Sequence, residues 1–130
     1  TEVSANTKNP VIDLMENQKT ITDKGGTMRL GSWQCSLSKG SLCNSIYKST
    51  NIEERHRHRY ELNNKYLKKL EENGLIASGK NDDTNLVEVV EVEDHPWFVG
   101  VQFHPEYKST VSSPHPLFVS FVNAAKNNNN

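Results

Sequence analysis

The most constraining feature is the stretch LVEVVEVEDHPWFVGVQF, residues 86–103, which runs directly into His104, Pro105 and Glu106. Two β-branched or apolar runs separated by a turn at residues 94–96 predict a pair of strands. Pro105 has no N–H to give to a sheet, so the second strand must end there. Residues two apart in an extended chain project the same way, so we expect His104 and Glu106 to face one another.

A carboxylate beside an imidazole has a chemical use. It fixes the tautomer of the ring and stabilises its protonated form, which leaves the other ring nitrogen free to accept a proton from a nucleophile. The alternative is an ordinary surface turn at the end of a strand, because three residues carry little information. The apolar strand before His104 favours the catalytic interpretation, since catalytic groups often lie at the C-terminal ends of strands in α/β sheets.

A second unusual stretch is EERHRHRYE, residues 53–61. At a period of two, arginines alternate with ring-bearing residues: Arg55, Arg57 and Arg59 against His56, His58 and Tyr60. Four interpretations stay open: an anion site built from an arginine fork, a metal site from the two histidines, a small nucleic-acid patch, or a charged edge strand that resists aggregation. The metal interpretation lacks a cysteine or an acidic cluster nearby to complete the ligand set.

The other predicted elements alternate between strands and helices, which favours an α/β domain. We predict strands over 10–15 and 27–37 with a bend at Gly31, a loop over 17–26, a short helix within 38–49, and helices over 63–75 and 113–126. Asn63 or Asn64 can cap the 63–75 helix, and Gly74 can end it. The last helix carries one apolar stripe: Leu117, Phe118, Phe121, Val122 and Ala125.

Composition limits the classes of function. The 130 residues suffice for one domain, and the formal charge of −1 argues against a general nucleic-acid or membrane-surface binder. Apolar residues amount to 34% with seven glycines, short of the about 45–50% of ordinary domains, which fits a piece of something larger. No apolar run approaches the ~18 residues of a membrane span, and we expect a cytoplasmic protein.

Two cysteines, Cys35 and Cys43, are too few for a disulfide framework or a zinc site. We interpret them as reduced structural thiols. Neither lies in the Gly-x-Cys-x-Gly setting of a sharp turn that exposes a nucleophile at the end of a strand.

Four segments together resemble one family: GGTMRLGSWQC, ERHRHRYELNN, HPWFVGVQFHPEYKST and HPLFVSFVNAA. They are similar to the C-terminal part of the glutaminase domain of the CTP synthase family. The HPE triplet alone is typical of class I glutamine amidotransferases in general, whereas RHRHRYE with GGTMRLG is more specific. The resemblance implies a partial class I amidotransferase domain over 1–126, with a mixed, mostly parallel sheet flanked by helices, followed by an Asn-rich tail at 127–130.

The resemblance also implies an activity and its residues. The family hydrolyses glutamine on a cysteine–histidine–glutamate triad, and the ammonia is used for ATP-dependent amination of UTP to CTP. The catalytic histidine and glutamate match His104 and Glu106. Arg59 and Glu2 match residues that hold the substrate glutamine, a sensible pairing of guanidinium with α-carboxylate and of carboxylate with α-ammonium. No metal ligand is implied in this chain.

Other parts of the family pattern lie outside the chain. The segment with the nucleophilic cysteine and the synthetase domain are both absent from it, so we expect the chain to be inactive alone. We expect no cofactor here, ATP and Mg²⁺ in the synthetase domain, and an intact enzyme that is a homo-oligomer. Its partners are then glutamine and the synthetase domain of the same protein, with no nucleic acid and no membrane.

Two alternatives remain. Another class I amidotransferase, such as GMP synthase, shares the HPE triplet, although RHRHRYE argues against it. A non-catalytic module could instead use the basic strand at 55–59 to hold an anion or RNA. That second alternative predicts salt-sensitive nucleic-acid binding that is lost on Arg57→Ala.

Overall fold

The computed structural model describes residues 1–14 and 28–128. Its strands are β1 Ile12–Leu14, β2 Arg29–Leu37, β3 Asn51–His58, β4 Tyr60–Leu62, β5 Leu75–Lys80, β6 Val87–Val92 and β7 Val99–Val101. Its helices are α1 Leu42–Tyr47, α2 Leu67–Glu71 and α3 Pro116–Asn127, with short 3₁₀ turns at Asn64–Tyr66 and Pro105–Lys108. The loop predicted over 17–26 lies outside the described residues.

The sheet is antiparallel, so the prediction of a mostly parallel sheet was wrong. Five strands pair in the order β3-β2-β5-β6-β7, and β1 pairs with β4 in a separate two-stranded sheet. Every pairing in both sheets is antiparallel. Short turns explain the antiparallel pairing of β5, β6 and β7, because parallel neighbours need a crossover of about a dozen residues or more. Strands β2 and β3 are antiparallel although residues 38–50, which include α1, connect them.

The five-stranded sheet curls until its two ends approach each other. Beyond β7, Gln102 N–H donates to Glu88 O at 2.9 Å and so continues the pairing with β6. Two residues later, His104 N–H donates to Arg55 O at 2.8 Å, on the opposite terminal strand β3. The chain leaving β7 therefore closes the curl, and the HPE corner (residues 104–108) lies at this seam.

The main core packs one face of the sheet against α1 and α3. Its buried members are Cys35, Leu37, Cys43, Ile52, Val89, Phe103 and Leu117. Gly79 allows the closest approach within it, because a Cβ there would lie 2.7 Å from a methyl carbon of Val89. A smaller buried cluster of Leu62, Ala77 and Val87 packs near α2.

The predicted 63–75 helix is shorter than expected. Asn63 does cap it, by accepting from Lys65 N–H, but the first turn is 3₁₀ and the α-helix covers only Leu67–Glu71. Gly74 adopts a φ of +84°, which ends the helical region. Strand β5, which begins at Leu75, was missed.

The C-terminal helix begins where its prolines predicted. His115 is the N-cap and Pro116 the first helical residue. Only Leu117 of the predicted apolar stripe is buried. Phe121 remains 52% exposed, although the ring of Trp97 contacts it edge-on with 5.1 Å between the ring centroids. Within the described ranges, no helix combines the length and apolar character needed to cross a membrane.

Candidate active site

The HPE corner brings His104 and Glu106 into direct contact. Nδ1 of His104 lies 2.6 Å from Oε1 of Glu106. The geometry differs from the extended one we expected, because Pro105 begins a 3₁₀ turn and His104 caps it. Phe103, the residue directly before His104, is 3% exposed and anchors the chain in the core. The pair is thus presented on a turn whose base is buried.

The contact defines what His104 can do. When Glu106 accepts from Nδ1–H, the neutral ring carries its lone pair on Nε2, which has no hydrogen-bond partner among residues 1–14 and 28–128. Slight burial tends to raise the pKa of Glu106, but the hydrogen bond and charge of His104 hold it below the ordinary value. The ring of Tyr107 stacks on the imidazole of His104, with 5.2 Å between the ring centroids, and restricts rotation of the imidazole. The arrangement is a base oriented by an ionised carboxylate.

A cavity of about 440 Å³ brings Glu2 and Arg59 together. Its other lining residues are Ile12, Met28, Arg57, His58, Tyr60 and Gln102. Gln102 precedes His104 by two residues, so the cavity lies beside the seam. A cavity lined by both a carboxylate and guanidinium groups suits a zwitterion such as a free amino acid.

The two histidines of β3 face the same way, as predicted, and enter a buried charged cluster. Nδ1 of His56 lies 2.7 Å from Nε2 of His58, and Nδ1 of His58 lies 3.2 Å from Tyr60 O. Since the carbonyl must accept, His58 carries its proton on Nδ1 and accepts from His56 at Nε2. Burial and the charge of Arg29 lower the pKa of His56 to about 3 and of His58 to about 4, so both rings are neutral near pH 7.

Arg29 supplies the positive charge of this cluster. Its guanidinium lies 2.5 Å from Glu88 and 3.9 Å from Glu61. Burial raises the pKa of both carboxyls above the ordinary value, although the charge of Arg29 opposes this effect. The pKa of Glu61 rises to about 7. The sequence contained a signal for this pair that we missed. Arg29 and Glu88 are opposite charges within stretches otherwise suited to buried strands.

Glu88 also supplies the acidic group that the metal interpretation lacked. His56, His58 and Glu88 offer ligand atoms within 4.8 Å of one another. The facing histidine nitrogens, however, are only 2.7 Å apart. Tetrahedral coordination at ~2.0–2.1 Å would separate them by about 3.3 Å. The two rings therefore share a hydrogen bond in this arrangement.

Two arginines of β3 lie on its outward face. β3 is a terminal strand of the sheet, with Ile52, Glu54 and His56 buried on one face. Arg55 and Arg57 are exposed on the other. Arg57 also lines the cavity shared by Glu2 and Arg59.

Neither cysteine has the character of a nucleophile. Cys35 and Cys43 are 2% and 0% exposed and both pack in the main core. Burial, aided by nearby carboxylates, raises the pKa of each thiol to about 12. Because the thiolate is the reactive form, these residues are inert at neutral pH.

Comparisons with known proteins agree with this geometry. The family model for class-I glutamine amidotransferases matches residues 3–124. The CTP synthase of Christiangramia forsetii is 66% identical over 96% of this chain, and that of Methanosphaera stadtmanae is 56% identical over 98% of it. The chain spans only 23–24% of the length of these relatives.

A solved structure is similar throughout. It is the glutaminase domain of Trypanosoma brucei CTPS with bound acivicin, which is 37% identical and superimposes with a TM-score of 0.85. The match covers 94% of this chain and 48% of that one. This chain, with its antiparallel curled sheet, therefore corresponds to about half of that larger chain.

Proposed function

The chain belongs to the class-I glutamine amidotransferase family, and we propose that it is the C-terminal part of a CTP synthase glutaminase domain. The activity of that domain is hydrolysis of glutamine, and the ammonia serves ATP-dependent amination of UTP to CTP. The observation that carries the proposal is the 2.6 Å contact between His104 and Glu106 beside a cavity lined by Glu2 and Arg59. The identity to CTP synthases favours this enzyme over GMP synthase.

The mechanism assigns a role to each of the four residues. Arg59 binds the α-carboxylate of glutamine and Glu2 its α-ammonium group. His104 takes the proton from a cysteine thiol through Nε2, and it later protonates the departing ammonia. Glu106 holds the ring in the required tautomer and stabilises the imidazolium. Both cysteines of this chain are buried in the core, so we propose that the nucleophile belongs to a segment outside it.

The remaining partners follow from the same proposal. The synthetase domain, with its ATP and Mg²⁺, is a further part of the same polypeptide, and residues 1–126 constitute the C-terminal part of the glutaminase domain, followed by the tail at 127–130. A homo-oligomeric enzyme and a cytoplasmic location are also proposed.

The first test separates the two half-reactions in the intact enzyme. His104→Ala should lower glutamine-dependent CTP formation by about 10²–10⁴-fold, since it removes the general base. CTP formation from added ammonia should be unchanged. His95→Ala, which removes an exposed histidine from the β6–β7 turn, is the matched control. Equal loss of both activities would contradict the catalytic role. A second comparison uses the 130-residue chain alone, in which ammonia release from glutamine above a His104→Ala background would contradict the proposed external nucleophile.

The substrate site has its own test. Arg59→Ala in the intact enzyme should raise the KM for glutamine strongly and leave ammonia-dependent activity nearly unchanged. Arg59→Lys should restore little, because lysine cannot make the bidentate contact of a guanidinium. Loss of glutamine-dependent and ammonia-dependent activity together would indicate a structural role for Arg59 instead.

A further inference from the structure

The HPE corner is attached to β3 at two points on the same strand edge. His104 N–H donates to Arg55 O at 2.8 Å, and Nζ of Lys108 donates to Glu53 O. Carbonyls two residues apart point to the same side of a strand, so both bonds use the edge of β3 that faces away from β2. They hold the first and last residues of the corner.

Lys108 also forms an ion pair below that edge. Its Nζ lies 3.7 Å from Oε2 of Glu54, a side chain that is 4% exposed. The other oxygen of Glu54, Oε1, accepts from the Tyr47 hydroxyl at 3.0 Å and lies 3.0 Å from Nε2 of His115. The carboxylate is therefore fixed by α1 and by the residue that caps α3.

The hydrogen bonds settle the tautomer of His115. Its Nδ1 accepts from Leu117 N–H at 3.3 Å as the helix cap, so the ring proton resides on Nε2 and is donated to Glu54. His115 N–H in turn donates to Ser109 Oγ at 3.0 Å, directly after the corner. Burial tends to raise the pKa of Glu54, but the hydrogen bonds from His115 and Tyr47 and the charge of Lys108 hold it below the ordinary value. Glu54 thus presents a fixed negative charge to the corner.

Besides these bonds, the corner is held by Phe103, which is buried directly before it. Strand β7 is three residues long, and both Glu106 and Tyr107 are exposed. An exposed ion pair between a lysine and a carboxylate usually contributes little to stability, because two mobile side chains must be ordered in solvent. Lys108 differs because both of its partners are already immobile: a strand carbonyl that accepts its hydrogen bond and a buried carboxylate that faces its charge. The entropy cost of the contact falls on one side chain only.

We propose that Lys108 is a positioning residue for the His104–Glu106 pair, held by the buried Glu54 at the seam of the curled sheet. The inference rests on the proposed glutaminase function. Lys108 acts through the backbone of the corner and touches neither the substrate nor the thiol. Its loss should let the turn at 105–108 move relative to β3. A misplacement of about 1 Å in a catalytic group can cost up to about 10²-fold in rate.

The kinetic test uses Lys108→Met in the intact enzyme. We expect the glutamine kcat to fall by about tenfold, the glutamine KM to change less than twofold, and ammonia-dependent activity to be retained. Lys108→Arg, which keeps the positive charge and an N–H donor for the Glu53 carbonyl, should restore most of the kcat. Lys68→Met is the control, since it removes the same charge from a lysine paired with Glu72 on the surface of α2.

A second readout does not require activity. Amide hydrogen exchange at His104, Tyr107 and Ser109, whose N–H groups are hydrogen-bonded, should accelerate in Lys108→Met and remain unchanged in Lys68→Met. An unchanged kcat, unchanged exchange, or a parallel loss of ammonia-dependent activity would each overturn the proposal. If the wild-type enzyme fails to hydrolyse glutamine, the proposed function fails, and the exchange measurement still decides whether Lys108 holds the corner.

Discussion

Glu54 and Glu88 are both buried carboxyls on the curled sheet, with 3% and 1% exposure, yet their pKa values move in opposite directions. Glu54 faces two hydrogen-bond donors, Tyr47 and His115, and the positive charge of Lys108 at 3.7 Å. Glu88 shares the single guanidinium of Arg29 with Glu61. Burial disfavours the charge of every one of these groups, and the number of donors for each carboxylate decides whether that effect is overcome.

The difference also separates two roles. The Glu54 group lies under the seam, where a fixed charge holds the HPE corner. The Arg29 group lies where β2, β4 and β6 contribute side chains to a common interior, next to the histidines of β3. We expect the first group to matter most for catalysis and the second for stability of the domain.

The largest effect should come from Arg29→Met, measured by urea unfolding of the domain in the intact protein. It leaves Glu61 and Glu88 without their shared cation in a buried environment. Removing one partner of a buried ion pair costs about 3–5 kcal/mol. Arg55→Met, at an exposed position of β3, should change the free energy of unfolding by less than about 0.5 kcal/mol. Similar losses from the two variants would remove the distinction between the buried cluster and the strand surface.

An intermediate effect concerns the pH dependence of Glu61. Its pKa is raised to about 7 in the folded protein from an ordinary value of 4.5, so between these pH values the folded state binds more protons than the unfolded state. The contribution of Glu61 to stability is therefore full below about pH 4.5 and is lost as the pH rises through 7, by up to about 3 kcal/mol. Glu61→Gln should remove this loss.

The quantity to measure is the difference in unfolding free energy between Glu61→Gln and wild type. His56 and His58 act in the opposite sense, because their lowered pKa values make stability fall as the pH drops below about 6.5, but they are present in both proteins. The unfolding free energy of Glu61→Gln minus that of wild type should rise from pH 4.5 to 7. Glu72→Gln on the surface of α2 should give a flat difference. A flat difference for Glu61→Gln would mean that Arg29 keeps Glu61 ionised throughout.

The smallest effect should come from Tyr47→Phe. It removes one of the donors to Glu54 and leaves His115 and Lys108 in place, so we expect a cost of about 1–2 kcal/mol at pH 7. The cost should shrink at low pH, where Glu54 is protonated in both proteins. Tyr66→Phe is the control, in the 3₁₀ turn before α2. A cost for Tyr47→Phe that does not vary with pH would assign the loss to packing of the ring.

Several parts of this fold were predicted because their causes are local. The β6–β7 pair follows from two apolar runs and a proline-containing turn, and the start of α3 follows from its prolines. The contact between His104 and Glu106 was predicted from the wrong backbone conformation. We expected an extended chain, whereas a 3₁₀ turn brings the two side chains together. The outcome was the same because residues two apart are close in either conformation.

The predictions that failed depended on partners distant in the chain. A parallel sheet was inferred from resemblance, whereas strand direction is set by how the connections fold back. Strand β5 begins directly after Gly74 and reads as LIASGK, which carries no clear alternation of its own. It becomes a strand because β2 and β6 pair with it on either side.

The sequence by itself determined the chemistry at the corner: a histidine, a proline that stops the strand, and a carboxylate within reach. It also determined that His56 and His58 share a face, because alternation along a strand is a local rule. Only the tertiary structure decided which charges those groups meet. Glu54 and His115 are 61 residues apart, and Lys108 and Glu53 are 55 apart. Such pairings depend on how the sheet curls and closes, and no spacing along the chain encodes that closure.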